Sequence, residues 1–95
     1  MVIVRIEHPV SNFDDWKRAF DSDPVGRRQA GVRRYRILRP VDDSRFVVVD
    51  LEFDAEPQAV AMLAALRAMW KTVEGRIIFN PQTRILAVAE SKELP

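Results

Sequence analysis

The feature that most restricts the fold of this 95-residue chain is the order of its strand and helix patterns. Alternation of apolar and polar residues predicts strands over 2–8, 32–39, 46–53 and 84–90. Apolar residues at helical spacing predict one helix after residue 12 and a second that ends near residue 70. The order β-α-β-β-α-β predicts a ferredoxin-like α+β fold, an antiparallel sheet with both helices on one face, in a single domain over 1–95.

Cap and turn residues mark the ends of these elements. Ser11 or Asn12 is expected to cap the first helix, and Asp54 the second. Pro24 interrupts the first helical pattern, and a short helical piece is expected over 25–30. The other expected breaks are the hairpin turn at 40–44, Glu74-Gly75, and Asn80-Pro81.

Composition excludes several classes of protein. With 47% hydrophobic and 31% charged residues the chain is not expected to be disordered. Its longest apolar runs, such as 59–66, are far shorter than the roughly 20 residues of a membrane span, and Arg5 interrupts any signal-like N-terminal pattern. The absence of cysteine excludes disulfides and thiolate sites. We therefore expect a cytoplasmic protein without a membrane partner.

The sheet face turned away from the helices carries opposite charges among apolar residues. Pairing across the hairpin places Arg34 and Arg36 on the same face as Asp50 and Glu52. A lone domain would expose this face to water, whereas a second copy related by a two-fold axis would cover it and complete the pairing. We therefore expect a homodimer whose interface comprises Arg5, Arg34, Arg36, Val48, Asp50 and Glu52, with Ile3, Glu7, Leu86 and Val88 beside them.

His8 is the candidate general base, because histidine is the side chain that titrates near neutral pH. It lies where a strand meets a loop, and it could take a proton from an activated carbon or a phenol. The alternative is a structural histidine that forms a local hydrogen bond beside Pro9. Tyr35 is expected to point toward the helices, where its hydroxyl could donate to a substrate oxygen or to a structural partner.

Three aromatic residues on the helices are candidates for a ligand pocket. Trp16, Phe20 and Trp70 could line a cavity for an aromatic ligand, because such cavities are largely apolar. The same helical spacing is also the ordinary pattern of a packed core. The sequence leaves these two interpretations open.

Arginine is concentrated in one part of the chain and could hold a carboxylate, a phosphate or a nucleic-acid backbone. RNA-recognition modules have the same strand order and stack bases on exposed aromatic residues of the sheet. Here Asp50 and Glu52 would repel phosphates, so no nucleic-acid partner is expected. The arginines in question are Arg27, Arg28, Arg33, Arg34, Arg36 and Arg39.

Together these residues resemble the small dimeric α+β-barrel proteins grouped with antibiotic biosynthesis monooxygenases, some bacterial members of which carry a "cyclase" label. The resemblance covers about residues 2–90 and implies the same fold and a dimer. Related proteins include cofactor-independent oxygenases of aromatic polyketides, polyketide cyclases and haem-degrading enzymes. The residues that carry it are 8–21, Arg27 or Arg28, Gly31, 35–39, Asp42-Asp43 and 47–53.

The resemblance does not extend equally to every branch of this group. Haem degraders of this group use a histidine after the second helix as the iron ligand, whereas His8 is the only histidine here. The resemblance therefore implies a cofactor-independent monooxygenase or cyclase, without metal or bound organic cofactor, that acts on a small hydrophobic aromatic ligand. The alternative is a non-catalytic ligand-binding or regulatory dimer, whose pocket would lack converging polar groups.

Overall fold

The computed structural model describes residues 1–72 and 78–95. Its four strands form one antiparallel sheet in the order β2-β3-β1-β4, which confirms the predicted ferredoxin-like α+β fold. Within the described ranges neither helix has the length and apolar character that crossing a membrane requires. The elements are β1 (Val2–Pro9), α1 (Phe13–Asp21), β2 (Arg34–Leu38), β3 (Phe46–Phe53), α2 (Glu56–Trp70) and β4 (Gln82–Ala87).

The core lies between the sheet and the two helices. Trp16 is the buried residue of α1, with 4% of its surface exposed, and the predicted stripe of α2 faces the same layer. Burial of this apolar surface is the main stabilising contribution to the fold. Besides Trp16, the buried core residues are Val4, Ile6, Val10, Val47, Val49, Leu51, Phe53, Ala59, Met62, Leu63, Trp70 and Ile78.

The two helix starts differ. Asn12 caps α1 as predicted, because its side-chain oxygen accepts a hydrogen bond from the Asp15 amide at 3.0 Å. The prediction that Asp54 caps α2 is wrong, since Ala55 occupies the cap position. The side-chain oxygen of Gln58 accepts from the Ala55 amide at 3.3 Å instead, and Asp54 lies 3.6 Å from an Arg33 nitrogen.

The predicted helical piece over 25–30 is also wrong. This connection forms turns, in which the Ala30 amide donates to the Gly26 carbonyl at 3.0 Å and the Val32 amide to the Arg27 carbonyl at 3.0 Å. Gly26 and Gly31 both have positive φ values, 71° and 99°. These left-handed positions at both ends leave no run of residues long enough for a helix.

The residues at which β2 and β4 begin and end depend on which neighbouring backbone groups they can pair with. β2 begins at Arg34 rather than at residue 32, because Val32 is bonded within the preceding turn. β4 ends at Ala87 rather than at residue 90, because the regular pairing with β1 ends at Val2; beyond it, the Val88 amide donates a single hydrogen bond to the Met1 carbonyl at 3.1 Å. Asn80 has a positive φ of 45° and forms the predicted bend before β4. The predicted break at Glu74-Gly75 lies outside the described residues.

Candidate functional site

A cavity of about 310 Å³ lies between the sheet and the helices. The sheet contributes Ile6, Val49 and Leu51 to its wall, together with the ring of His8. Helices α1 and α2 contribute mainly apolar side chains, and the connection after α1 contributes polar ones. The structure therefore brings together His8, Trp16, Phe20 and Trp70, four of the residues singled out in the sequence.

His8 is buried, with 2% of its surface exposed, and it lies on the helix-facing side of β1. Its Nδ1 is 3.0 Å from the carbonyl oxygen of Pro9. Because a carbonyl only accepts, Nδ1 must carry the proton of the neutral ring, and Nε2 therefore carries the lone pair. Burial lowers the pKa of His8 below its ordinary value, an effect that the Pro9 carbonyl opposes. The ring is therefore neutral, and basic at Nε2, at neutral pH.

Aromatic rings continue from His8 along α1. The His8 and Trp16 ring centres are 6.0 Å apart, and Trp16 stacks on Phe20 at 5.2 Å. Phe20 in turn meets the edge of Tyr35 at 5.0 Å. The i, i+4 spacing of Trp16 and Phe20 places them on one face of α1, so a single helix forms one aromatic wall of the cavity.

Tyr35 does not line the cavity that contains His8. It points to the helix side, as expected, but it is 43% exposed and borders a neighbouring groove. The physical reason is the strand order: β2 is an edge strand, so Tyr35 lies at the margin of the sheet, beyond the Phe20 ring. Tyr35 therefore lies outside the set of residues that a substrate inside the cavity would contact.

Arg27 is a cavity residue that the sequence analysis named only as part of an arginine run. Its guanidinium lies 3.9 Å from the centre of the Phe20 ring and 5.1 Å from that of Tyr35. It also donates to the Phe20 carbonyl at 2.7 Å, and its Nε is 3.6 Å from Asp23. A cation that lies over an aromatic ring is attracted by the negative π face of that ring. No sequence spacing signals this arrangement, because it depends on the turns of the connection.

The two hydroxyl groups of the cavity wall form hydrogen bonds with nearby backbone carbonyls. Ser22 Oγ donates to the Ala19 carbonyl at 2.6 Å, and Thr72 Oγ1 donates to the Met69 carbonyl at 2.7 Å. In the described part of the chain no group of three potential metal ligands comes together. The titratable groups of the lining are thus His8 and the Asp23–Arg27 pair.

The outer face of the sheet carries the charge pairs expected from the strand register. Arg5 donates to both oxygens of Asp50, at 2.8 and 2.9 Å, and Arg36 approaches the same carboxylate at 3.5 Å. Arg34 forms the equivalent two-point pair with Glu52. These bonds hold the pKa of the Asp50 and Glu52 carboxyls below their ordinary values.

One expectation about this face needs correction. The carboxylates are already buried within a single protomer, Asp50 with 1% and Glu52 with 7% of its surface exposed. The arginine side chains that lie over them are exposed instead, by 38% in Arg5, 60% in Arg36 and 67% in Arg34. The face that a partner would meet is therefore a layer of arginines rather than a mixed set of open charges.

Comparison with known proteins identifies the fold. No family model matches the sequence, and no curated protein matches it. SnoaB, a cofactor-independent oxygenase from Streptomyces nogalater, superimposes with a TM-score of 0.76 at 13% identity, over 95% of this chain and 94% of that chain. This chain shares the fold of that oxygenase.

Two further structures support the same conclusion. A protein named for antibiotic biosynthesis monooxygenases, from Deinococcus radiodurans, has a TM-score of 0.69 at 13% identity, over 100% of this chain and 99% of that chain. A dimeric ferredoxin-like protein from an uncultured marine organism has a TM-score of 0.67 at 13% identity, over 96% and 97%. The resemblance stated from the sequence is confirmed at the level of the fold.

The buried histidine makes stability depend on pH. Because the folded-state pKa of His8 is lowered, the unfolded chain binds more protons below its own pKa of about 6.5. We expect the free energy of unfolding to be constant above that pH and to fall below it, by up to about 1.4 kcal/mol per pH unit, as measured by urea denaturation. His8→Asn should remove this dependence near pH 6; an unchanged slope in that variant would contradict the assignment.

Proposed function

We propose that this protein is a small enzyme of the cofactor-independent monooxygenase or cyclase type that acts on a hydrophobic aromatic molecule. The observation that carries the proposal is a histidine with a basic Nε2 in the wall of a cavity whose lining is mainly aromatic and aliphatic. A volume of about 310 Å³ lies at the lower end of the range of ligand sites. The aromatic ring of a ligand would stack beside Trp16 and Phe20 of α1, and Trp70 of α2 would form another part of the cavity wall.

His8 supplies the chemistry in this proposal. Nε2 takes a proton from an acidic C–H or phenolic O–H of the ligand, and Nδ1–H continues to donate to the Pro9 carbonyl, which stabilises the imidazolium. The substrate is left as an electron-rich anion. Such an anion can transfer two electrons to O₂ and form a C–O bond; the imidazolium protonates the resulting peroxide, which loses water and leaves a carbonyl. Alternatively, the anion can attack a carbonyl within the same molecule, whose oxygen takes the proton back from the imidazolium, so neither outcome requires a metal or a bound organic cofactor.

Haem does not fit the residues present. A variant of MhuD that binds manganese protoporphyrin IX has a similar fold, with a TM-score of 0.69 at 14% identity over 98% of this chain and 99% of that chain. A histidine ligand for the iron would have to be His8, the single histidine of the chain. Its Nδ1 is bound to the Pro9 carbonyl, and its Nε2 is the base in the proposal above. We derive no step through haem.

A second candidate function is a non-catalytic ligand-binding dimer. It is favoured by the local hydrogen bonds of the cavity's polar groups, since Ser22, Arg27 and Thr72 all donate to backbone carbonyls. The bond from His8 to Pro9 is likewise the local contact expected of a structural histidine. The two candidates differ in whether a bound ligand is converted.

The proposal is tested with a hydroxylated anthrone, which has both an acidic C–H and an aromatic body. Binding should quench tryptophan fluorescence and raise the melting temperature by mass action, by several degrees at saturating ligand. Oxygen uptake and product formation should require the protein and persist after treatment with a chelator. Binding without conversion would favour the non-catalytic dimer, and absence of binding by any hydrophobic aromatic ligand would contradict both candidates.

We also propose that two copies pack through their outer sheet faces to form a closed barrel. Leu38 and Val88 are apolar residues near this face, exposed by 39% and 36%. Val48 pairs with Leu38 and lies two residues before Asp50 on the same face of β3. In a dimer the exposed arginines would meet carboxylates such as Glu7 of the other copy. Support comes from the dimeric ferredoxin-like protein of the same fold.

Asp50→Arg should shift this dimer to monomers. The substitution places a third positive group between Arg5 and Arg36 and removes the carboxylate that pairs with both. Sedimentation at micromolar concentration should give twice the monomer mass for the parent and the monomer mass for the variant. Asp42→Arg, in the exposed hairpin turn, makes the same charge change and should remain dimeric. A monomeric parent would contradict the proposal; Val48→Glu repeats the test without breaking an ion pair.

A further inference from the structure

A second, open groove adjoins the aromatic cavity. It has a volume of about 850 Å³ and is formed by the connection after α1, the start of β2 and the beginning of α2. Asp23 and Arg27 line both spaces, so a single layer of side chains separates the cavity from the groove. Tyr35, which is excluded from the cavity, borders the groove beside Arg27.

The groove is rich in arginine, with Arg27, Arg28, Arg33 and Arg34 in its lining. Arg34 is held by Glu52 through two hydrogen bonds and is not available. The other two ion pairs are looser: the Arg27–Asp23 and Arg33–Asp54 nitrogen-to-oxygen distances are both 3.6 Å, which is beyond a hydrogen bond. Guanidinium N–H groups therefore remain open to another acceptor.

Arg28 gives the groove a positive charge that is not balanced by a carboxylate. Its side chain is exposed, and across residues 1–72 and 78–95 no carboxylate pairs with it. Arg28 directly follows the cation that contacts the Phe20 ring. A positive group beside an apolar cavity complements a ligand with a hydrophobic body and an anionic end.

We propose that the groove binds the anionic group of the ligand whose aromatic part occupies the cavity, with Arg28 and Arg33 as the anion-binding residues. The inference rests on the proposed function and narrows it: the substrate class is an aromatic molecule that carries an acidic group, such as a carboxylate. Arg27, which lies over the Phe20 ring and beside Tyr35, is at the junction between the two parts of the ligand. The position of Arg27 therefore determines how far the aromatic ring of the ligand lies from its anionic group.

Two fluorescent probes that differ in a single group test the inference. Anilinonaphthalene sulfonate and phenylnaphthylamine share the same aromatic body, but the sulfonate is present in the first alone. Arg28→Gln should weaken sulfonate binding about five-fold, the value of an exposed ion pair of about 1 kcal/mol, and leave the uncharged probe unchanged. The double variant Arg28→Gln, Arg33→Gln should bind the sulfonate probe about ten-fold more weakly than the parent. Arg18→Gln, an exposed arginine on α1, removes the same charge outside the groove and should affect neither probe.

The outcomes separate this inference from the proposed function. If both probes bind and the arginine variants do not change their affinity ratio, the anion site is wrong while the cavity stands. Ala19→Phe, which fills the cavity, should abolish binding of both probes, and each probe should displace the other. If neither probe binds the parent, or if Ala19→Phe has no effect while the probes fail to compete, the cavity itself is wrong and the inference fails with it.

Discussion

Trp16→Ala is expected to destabilise the protein by about 3–5 kcal/mol. Trp16 is 4% exposed and its ring contacts three others, with centres 6.0 Å from His8, 5.7 Å from Phe13 and 5.2 Å from Phe20. Removing it enlarges the existing cavity that it lines, and the close-packed sheet cannot collapse to fill the space. This loss is a large share of the roughly 5–15 kcal/mol that stabilises a typical domain.

The measurement is thermal and urea denaturation at a fixed protein concentration, since dimerisation would add a concentration term. Each kcal/mol corresponds to about 4–8 °C in a domain of this size, so the variant should melt at least about 12 °C below the parent. Leu63→Ala, at a site 6% exposed on α2, should cost about 2–5 kcal/mol. Val60→Ala on the same helix is a control, because that residue is 51% exposed. A Trp16→Ala variant that melts within two degrees of the parent would show that the α1 face is misassigned.

His8→Ala is expected to lower turnover by about 10²–10⁴-fold while ligand affinity stays nearly unchanged. A base acts on the transition state, whereas stacking on Trp16 and Phe20 contributes equally to ground state and transition state. His8→Gln fills more of the same volume without a group that titrates near neutral pH, and it should lose turnover to the same extent. Lys17→Gln, on the exposed side of α1, serves as the surface control.

The pH profile of the parent provides a second readout. Because burial lowers the pKa of His8, the neutral, basic form predominates above the ordinary value of about 6.5. Turnover should therefore be level around neutral pH and decline on acidification. If His8→Ala retained turnover within three-fold of the parent, the residue would be structural and the catalytic base would have to be sought elsewhere.

The sequence by itself determined the architecture, because local patterns specify it. Period-two alternation fixed the four strands, and the helical stripes fixed the faces of α1 and α2. The period of two also predicts one sheet face for Arg34, Arg36, Asp50 and Glu52, and the register confirms this. The cap at Asn12 was readable for the same reason, since an N-cap bond spans three residues.

Where local sequence signals conflicted, contacts in the tertiary structure determined the backbone conformation and the placement of side chains. Two glycines with positive φ produced turns over 25–30 in place of a helical piece. Those turns carry Arg27 back over the Phe20 ring, a contact that depends on the path of the chain after α1 ends at Asp21 and not on helical spacing. Strand order, which depends on long-range pairing, moved Tyr35 to the sheet margin and left it outside the cavity.

The cavity itself was also decided only in three dimensions. Trp16, Phe20 and Trp70 have the spacing of core residues, and their sequence positions are the same whether the space between them is filled or open. Whether about 310 Å³ remains depends on how far the helices stand from the sheet and on which rotamers the large side chains adopt. These are properties of the packed whole, so the sequence determined which residues face inward and the tertiary structure determined that they leave room for a ligand.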